Sequence, residues 1–149
     1  MTDDVTARLG GPMPEWQKWQ NWLPVAVWII VIFILSTSLF SAADTAIIIK
    51  PILHWLWPSA SLATVALIHD SIRKCAHFTN YAVLFWLLIR GPMRGRPYTA
   101  LALCVCYAML DEAHQIFVPG RTASIYDVAL DSTGALFSRF LYAAVAELV

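Results

Sequence analysis

Charged residues are scarce in this 149-residue sequence, and their scarcity decides the class of protein. Lys, Arg, Asp and Glu make up 13% of the chain, against about 25% in ordinary soluble domains. The ten basic and ten acidic residues cancel, which excludes a basic nucleic-acid-binding protein. Hydrophobic residues reach 59%, more than one domain of this size can bury. The composition therefore predicts an integral membrane protein.

Cysteine is also rare. The three cysteines, Cys75, Cys104 and Cys106, lie in apolar stretches, and an odd number in such positions argues against a disulfide framework. The spacing of Cys104 and Cys106 directs their thiols to different faces of a helix, so we expect buried apolar packing for them and no metal ligation.

Long apolar runs predict an all-α bundle of four transmembrane helices, each of roughly the 20 residues that a bilayer requires. The predicted spans are residues 21–43, 74–89, 97–118 and 123–146. The fourth span contains Asp127, Asp131 and Arg139, and charges persist in a membrane only where other helices or water receive them. Residues 1–22 are expected to form a cytoplasmic or interfacial segment before a transmembrane domain over 23–146.

The connection between the first two spans is too apolar for a solvated loop. Trp55 and Trp57 suit the headgroup layer, which predicts an interfacial or re-entrant helix over about residues 46–57. A further helical stretch is expected to begin at Ser61 and to continue into the second span. His69, in that stretch, is expected at the surface.

Basic residues in short loops indicate the orientation. The loop at 90–97 contains Arg90, Arg94 and Arg96 and no acid, so we predict that it is cytoplasmic. Four spans then place both termini in the cytoplasm. Arg121 lies at the outer boundary, against this rule, and its Pro-Gly turn needs no cation. We therefore expect Arg121 to serve a ligand rather than the fold.

Polar residues of three predicted helices converge at one depth near the outer ends of the spans. Helical spacing puts Lys74, His77 and Tyr81 on one face of the second span. Asp111 and Gln115 lie on one face of the third span, and Glu112 is turned by about 100° from Asp111 around the helix axis. A turn at 119–121 brings the third and fourth spans together. The convergent residues are Lys74, His77, Tyr81, Asp111, Glu112, Gln115, Arg121, Asp127 and Asp131.

This set can support chemistry or binding. Four carboxyl groups in a low-dielectric site cannot all remain charged, so His77 or a carboxyl group is a candidate general acid or base. Lys74 and Arg121 could receive an anionic group. Two other readings stay open: Lys74–Asp111 and Arg121–Asp127 ion pairs that only hold the helices together, and a divalent metal held by His77 and carboxylates.

Three spaced motifs resemble the VanZ family of bacterial membrane proteins. They are Lys74-x-x-His77-x-x-x-Tyr81, Asp111-Glu112-x-x-Gln115-x-Phe117-x-Pro119-Gly120-Arg121 and Ser124-x-x-Asp127. The resemblance covers about residues 23–141 and implies a bacterial cytoplasmic membrane and a link to the cell envelope. The family's name-giving member is associated with resistance to the lipoglycopeptide teicoplanin. Relatives usually have Asn where this chain has Asp131.

The resemblance implies that its matching residues are functional, and two functions follow. The first is a binding protein for an envelope lipid, a lipid-linked precursor or a lipoglycopeptide, with no cofactor, metal or nucleic acid and with the oligomeric state undetermined. Its ligand-binding residues are Lys74, Tyr81, Gln115, Arg121, Asp127 and Asp131. The alternative is an intramembrane enzyme acting on a lipid-linked substrate, with His77, Asp111 and Glu112 as catalytic residues.

Overall fold

A computed structural model describes residues 15–38 and 41–147, and over those ranges it contains five α-helices and no strand. The all-α prediction is therefore confirmed, whereas residues 1–14 of the predicted N-terminal segment lie outside the described ranges. The helices are α1 (Glu15–Ser36), α2 (Ala42–Leu56), α3 (Leu62–Arg90), α4 (Pro97–Gln115) and α5 (Ile125–Glu147).

Serine caps account for three of the helix starts. The Ser41 hydroxyl accepts a hydrogen bond from the Asp44 amide at the start of α2, and Ser61 does the same for Thr64 at the start of α3. Ser124 precedes α5 and accepts from the Tyr126 amide at 3.2 Å. Each cap satisfies an amide that has no partner within its helix. As expected, the stretch from Ser61 runs without a break into the second predicted span.

Two predicted boundaries are wrong. The sequence predicts the first span over residues 21–43, but α1 ends at Ser36, because Ser41 starts a new helix and the carbonyls at the end of α1 bind Arg121. The third span was placed over 97–118, but α4 ends at Gln115 and residues 116–120 form turns. Both helices thus end at polar residues, several positions before the predicted ends.

Helix α3 lies at the centre of the fold. It packs most closely on α5, and it also contacts α1, α2 and α4. The core contains Tyr81, Leu84, Phe85 and Leu88 of α3. At its closest approach to α5 it faces Gly134, where a Cβ atom would overlap the Phe78 carbonyl oxygen. Only glycine permits this separation of the two backbones.

The distribution of polarity is inverted relative to a soluble domain. Charged side chains of α4 and α5 are buried, whereas many large apolar side chains of the same helices are exposed. The buried acids are Asp111, Glu112 and Asp131, and the exposed apolar side chains include Leu110, Phe137 and Phe140. By length and apolar composition alone, one of the described helices is suited to cross a membrane, over Trp19–Ser36 with a mean hydropathy of 1.7.

Helix α2 differs from the others because none of its residues is buried. Among the described helices it contacts α3 alone. Its exposed surface carries Ile47, Ile48 and Ile52, and Trp55 is 79% exposed. The predicted helix over 46–57 is therefore present, and it begins four residues earlier than expected because Ser41 caps it.

Candidate functional site

Four helices bring ionisable and hydroxyl groups together inside the bundle. We call His77, Asp131, Asp111, Tyr81 and Ser36 the interior cluster. His77 Nδ1 lies 3.3 Å from Asp131 Oδ1, a distance that fits an ion pair, although the ring N–H is not aligned as in a good hydrogen bond. The Ser36 hydroxyl donates to Asp111 Oδ2 at 2.7 Å. The contact of Ser36 ties α1 to α4.

Several atoms of the interior cluster lack partners. Tyr81 and Asp131 are both 0% exposed. The Tyr81 hydroxyl, Asp111 Oδ1 and both Asp131 oxygens make no hydrogen bond with any described residue. A buried polar atom without a partner costs about 1–3 kcal/mol. Several such atoms in one place mark a candidate functional site.

Gln115 and Glu112, both buried, have positioning contacts of their own. Gln115 Nε2 lies 3.4 Å from Asp111 Oδ2, one helical turn away. Glu112 Oε2 accepts the Ser124 amide at 2.8 Å, so this carboxylate caps α5 from α4. Glu112 thereby fixes the loop that carries Arg121, a contact that the sequence did not predict.

Arg121 binds the end of α1. Its Nε donates to the Thr37 carbonyl at 3.3 Å, and its Nη2 donates to the carbonyls of Thr37, at 3.1 Å, and Leu35. A cation at these carbonyls complements the negative end of the helix dipole. Arg121 therefore has a structural contact at the end of α1, beside the ligand-binding role that the sequence predicts. Desolvation, and next the charge of Arg73, lower the pKa of Arg121, although arginine remains protonated.

Lys74 lies apart from the interior cluster. Its side chain is 57% exposed, and Nζ contacts Asp70 Oδ2 at 3.0 Å, one turn back on α3. Neither a Lys74–Asp111 nor an Arg121–Asp127 ion pair is present among the described residues. The residue before it, Arg73, faces the site instead. Its spacing of four residues from His77 was the signal that could have found it.

Two cavities adjoin the site. The apolar cavity, of about 160 Å³, lies between α1, α2 and α3 and is lined by Ile32, Leu35, Ile49 and Ile72 among others. The polar cavity, of about 240 Å³, opens where α3 meets the loop before α5, and its lining includes Asp70, Gln115, Thr122, Ser124 and Asp127. Three residues line both cavities: Arg73, His77 and Arg121.

Two of the three charges of the fourth predicted span face neighbouring side chains. Asp131 faces His77, and the Arg139 guanidinium carbon lies 4.7 Å from the centre of the Tyr98 ring, a distance typical of a cation–π contact. Over the described ranges no group of three His, Cys, Asp or Glu side chains is positioned to hold a metal ion. Of the cysteines only Cys104 is buried, so the expectation of buried packing is wrong for Cys75 and Cys106.

These features define a helical, membrane-associated protein with an apolar exterior and an ionisable interior. The family model described as VanZ/LLP1 matches residues 21–146. The chain belongs to the VanZ/LLP1 family, as the spaced motifs of α3, α4 and α5 indicated. No curated protein and no solved structure matches it.

Proposed function

We propose that this protein is a multi-pass bacterial inner-membrane protein that binds an amphiphilic molecule of the cell envelope. The ligand would be an envelope lipid, a lipid-linked precursor or a lipoglycopeptide. One observation carries the proposal: an apolar cavity and a polar cavity adjoin, and both are lined by Arg73, His77 and Arg121. An amphiphile has the same order, with a chain, a charged group and a polar head.

Four spans are supported by helix length and by the inverted polarity. At 1.5 Å per residue, α1, α4 and α5 measure about 33, 28 and 34 Å, close to the roughly 30 Å of a hydrocarbon core. Helix α3 is longer, and its residues 74–90 would span, at the short end of the range of about 17–25 residues. The acids that lower the hydropathy of α4 and α5 face the bundle interior, where ionisable residues of membrane helices are found. Helix α2 would lie at the outer interface, with Trp55 and Trp57 in the headgroup layer.

Cysteine accessibility tests the orientation. In a background with Cys75, Cys104 and Cys106 replaced by alanine, Ser59→Cys between α2 and α3 should react with an impermeant maleimide in intact cells. Gly95→Cys in the loop of arginines should react only after permeabilisation, because basic loops stay in the cytoplasm. The reverse labelling pattern would contradict the orientation and turn the polar cavity toward the cytoplasm.

The charges of the shared residues favour an anionic group. Arg73 and Arg121 are cations at the junction of the cavities. A guanidinium can bind phosphate or carboxylate through two parallel hydrogen bonds, which Arg73 would supply. Arg121, whose Nε and Nη2 already donate to backbone carbonyls, would add its charge and its Nη1 donors. Ile32, Leu35 and Ile49 would contact the hydrocarbon chain. Of the interior cluster, Ser36, His77 and Tyr81 line the apolar cavity, whereas Asp111 and Asp131 line neither cavity.

Lipid that co-purifies with the protein tests the binding function. Leu35→Trp should fill the apolar cavity and reduce the bound lipid measured by mass spectrometry. Ile34→Trp is the matched control, because Ile34 is exposed on the same helix and does not line the cavity. Equal lipid content in the wild type and both variants, or none in the wild type, would refute the proposal.

The alternative function, an enzyme acting on a lipid-linked substrate, is favoured by the position of His77. This side chain is 21% exposed, lines both cavities and has the buried Asp131 carboxylate behind it. A base oriented by a carboxylate is the usual arrangement for proton transfer. Asp111 and Glu112, the other proposed catalytic acids, contact Ser36 and Ser124. A chemically altered lipid formed by wild type but not by His77→Gln would establish turnover, and its absence would leave binding alone.

A further inference from the structure

We infer that the preferred ligand is a phosphodiester lipid whose headgroup ends in an ammonium group, rather than a lipid that ends in a phosphate monoester. This inference rests on the proposed binding function and adds the class of headgroup. It follows from the order in which charges line the two cavities.

Two positively charged side chains lie at the junction of the two cavities. Arg73 and Arg121 line both the apolar and the polar cavity, so they flank the point where a hydrocarbon chain meets its polar head. In an amphiphile that extends from one cavity into the other, the group at that point is the phosphate. Arg121 donates three hydrogen bonds to the carbonyls of Leu35 and Thr37 at the end of α1, which fixes its guanidinium beside the junction.

Two carboxylates lie on the polar side of the junction. Asp70 and Asp127 line the polar cavity and not the apolar one. Asp70 is already paired with Lys74 at 3.0 Å. The Asp127 carboxylate accepts no hydrogen bond from any described side chain and is half-buried. It is therefore the acceptor available to a headgroup.

The order of charges, arginines at the junction and carboxylates next to them in the polar cavity, distinguishes between lipid headgroups. A phosphodiester carries one negative charge at the junction, and a terminal ammonium group would reach Asp127. A phosphate monoester has no ammonium group to pair with Asp127, and any second negative charge that it carries is opposed by the nearby carboxylates of Asp70 and Asp127. A head that ends in hydroxyl groups can donate to Asp127 but lacks the charge attraction.

Dioctanoyl lipids test the inference on the full chain in nonionic micelles, with dissociation constants measured by native mass spectrometry. The probes are phosphatidylethanolamine, phosphatidylglycerol and phosphatidic acid. We expect phosphatidylethanolamine to bind about fivefold more tightly than phosphatidylglycerol, the ratio that an ion pair of partly exposed groups supports. Phosphatidic acid should bind most weakly of the three.

Variants assign the preference to Asp127. Asp127→Asn should abolish the advantage of phosphatidylethanolamine over phosphatidylglycerol and strengthen the binding of phosphatidic acid. Asp127→Glu should retain the wild-type order. Arg73→Gln should weaken all three lipids, whereas Arg94→Gln, an exposed arginine in the loop before α4, should weaken none.

The outcomes separate this inference from the proposed function. If phosphatidic acid binds the wild type as tightly as phosphatidylethanolamine, the headgroup inference is wrong and amphiphile binding stands. The same holds if Asp127→Asn leaves the order unchanged. If the wild type binds none of the three lipids, the inference and the proposed function both fail. The wild-type order is decisive even where a variant does not fold.

Discussion

The two sides of α3 are built differently. On one side α3 packs against α5 so closely that Gly134 has no room for a Cβ atom, and the rings of Phe78 and Phe137 meet across the interface with their centres 5.7 Å apart. On the other side α3 faces α1 and α2, where an apolar cavity remains and α2 buries none of its residues. One helix thus belongs to a tight interface and to a loose one.

The difference separates stability from ligand access. Tight contact between α3 and α5 fixes the positions of His77 and Asp131, which face each other across it. The loose side supplies the space that a ligand requires. Elements with few buried contacts open at low free-energy cost, so α2 is the element expected to move when a ligand enters.

The tight interface is broken most directly at Gly134. Gly134→Ala places a methyl group against the Phe78 backbone, which cannot yield as a flexible side chain would. We expect a loss of about 3 kcal/mol or more in the free energy of unfolding, at the upper end of the range for overpacked cores. Thermal unfolding in micelles measures it, with the neighbouring exposed residue changed by Thr133→Ala as control. A wild-type melting temperature for Gly134→Ala would contradict the tight packing.

A substitution of Arg121 tests the contact between the end of α1 and the loop before α5. Arg121→Lys keeps the charge but loses the fork that reaches both Leu35 and Thr37. Because hydrogen bonds to charged groups contribute about 1.5–3 kcal/mol each, we expect Arg121→Lys to lower the free energy of unfolding by about 2 kcal/mol. The control is Arg96→Lys, in the loop before α4. If Arg121→Lys melts like wild type but binds no lipid, the guanidinium serves the ligand alone.

Glu112→Gln should have a smaller effect. Glutamine can still accept the Ser124 amide through its carbonyl oxygen but without the negative charge. We expect a loss of about 1 kcal/mol, the difference between charged and neutral hydrogen bonds. Faster proteolysis of the loop at 116–124, with unchanged protection of α3, would localise the effect. An unchanged cleavage rate would mean that the loop does not depend on this carboxylate.

Much of the fold could be predicted because its signals are local. Runs of apolar residues, the helix start at Ser61 and the Pro119-Gly120 turn each depend on a few neighbouring residues. The helix ends were less predictable because they depend on distant partners. The end of α1 is set in part by Arg121, a residue 85 positions away from Ser36 in the sequence.

The sequence predicted most of the residues that form the site, but it did not predict which of them contact each other. Helical periodicity identified His77 and the acids, yet it could not decide between adjacent residues. Lys74 and Arg73 flank the same face of α3, and only the packing of α1 and α2 decides which one lines the cavities. Likewise, the polar His69 suited a surface, but α2 covers it, and it is 5% exposed.

The smallest effect is expected for His69, which contacts α2. Its Nε2 lies 3.1 Å from the Thr45 hydroxyl of α2. Desolvation, and then the charges of Arg73 and Lys50, lower its pKa from the ordinary value, with Asp70 opposing them. Between the lowered pKa and the unfolded value of about 6.5, the unfolded chain binds the proton more readily than the folded one. Stability should therefore rise with pH across that window and level off above it.

Thermal unfolding between pH 5 and 7.5, by about half-unit steps, measures this contribution. His69→Gln keeps a side chain that can bond to Thr45 but removes the titration, so its stability should change less over the window than that of the wild type. His54→Gln, at an exposed position on α2, should retain the wild-type slope. If His69→Gln and His54→Gln show the same pH dependence, the docking of α2 does not depend on a neutral His69. The loose side of α3 would then be held by the apolar contacts of α2 and by the Thr45 hydroxyl, independently of pH.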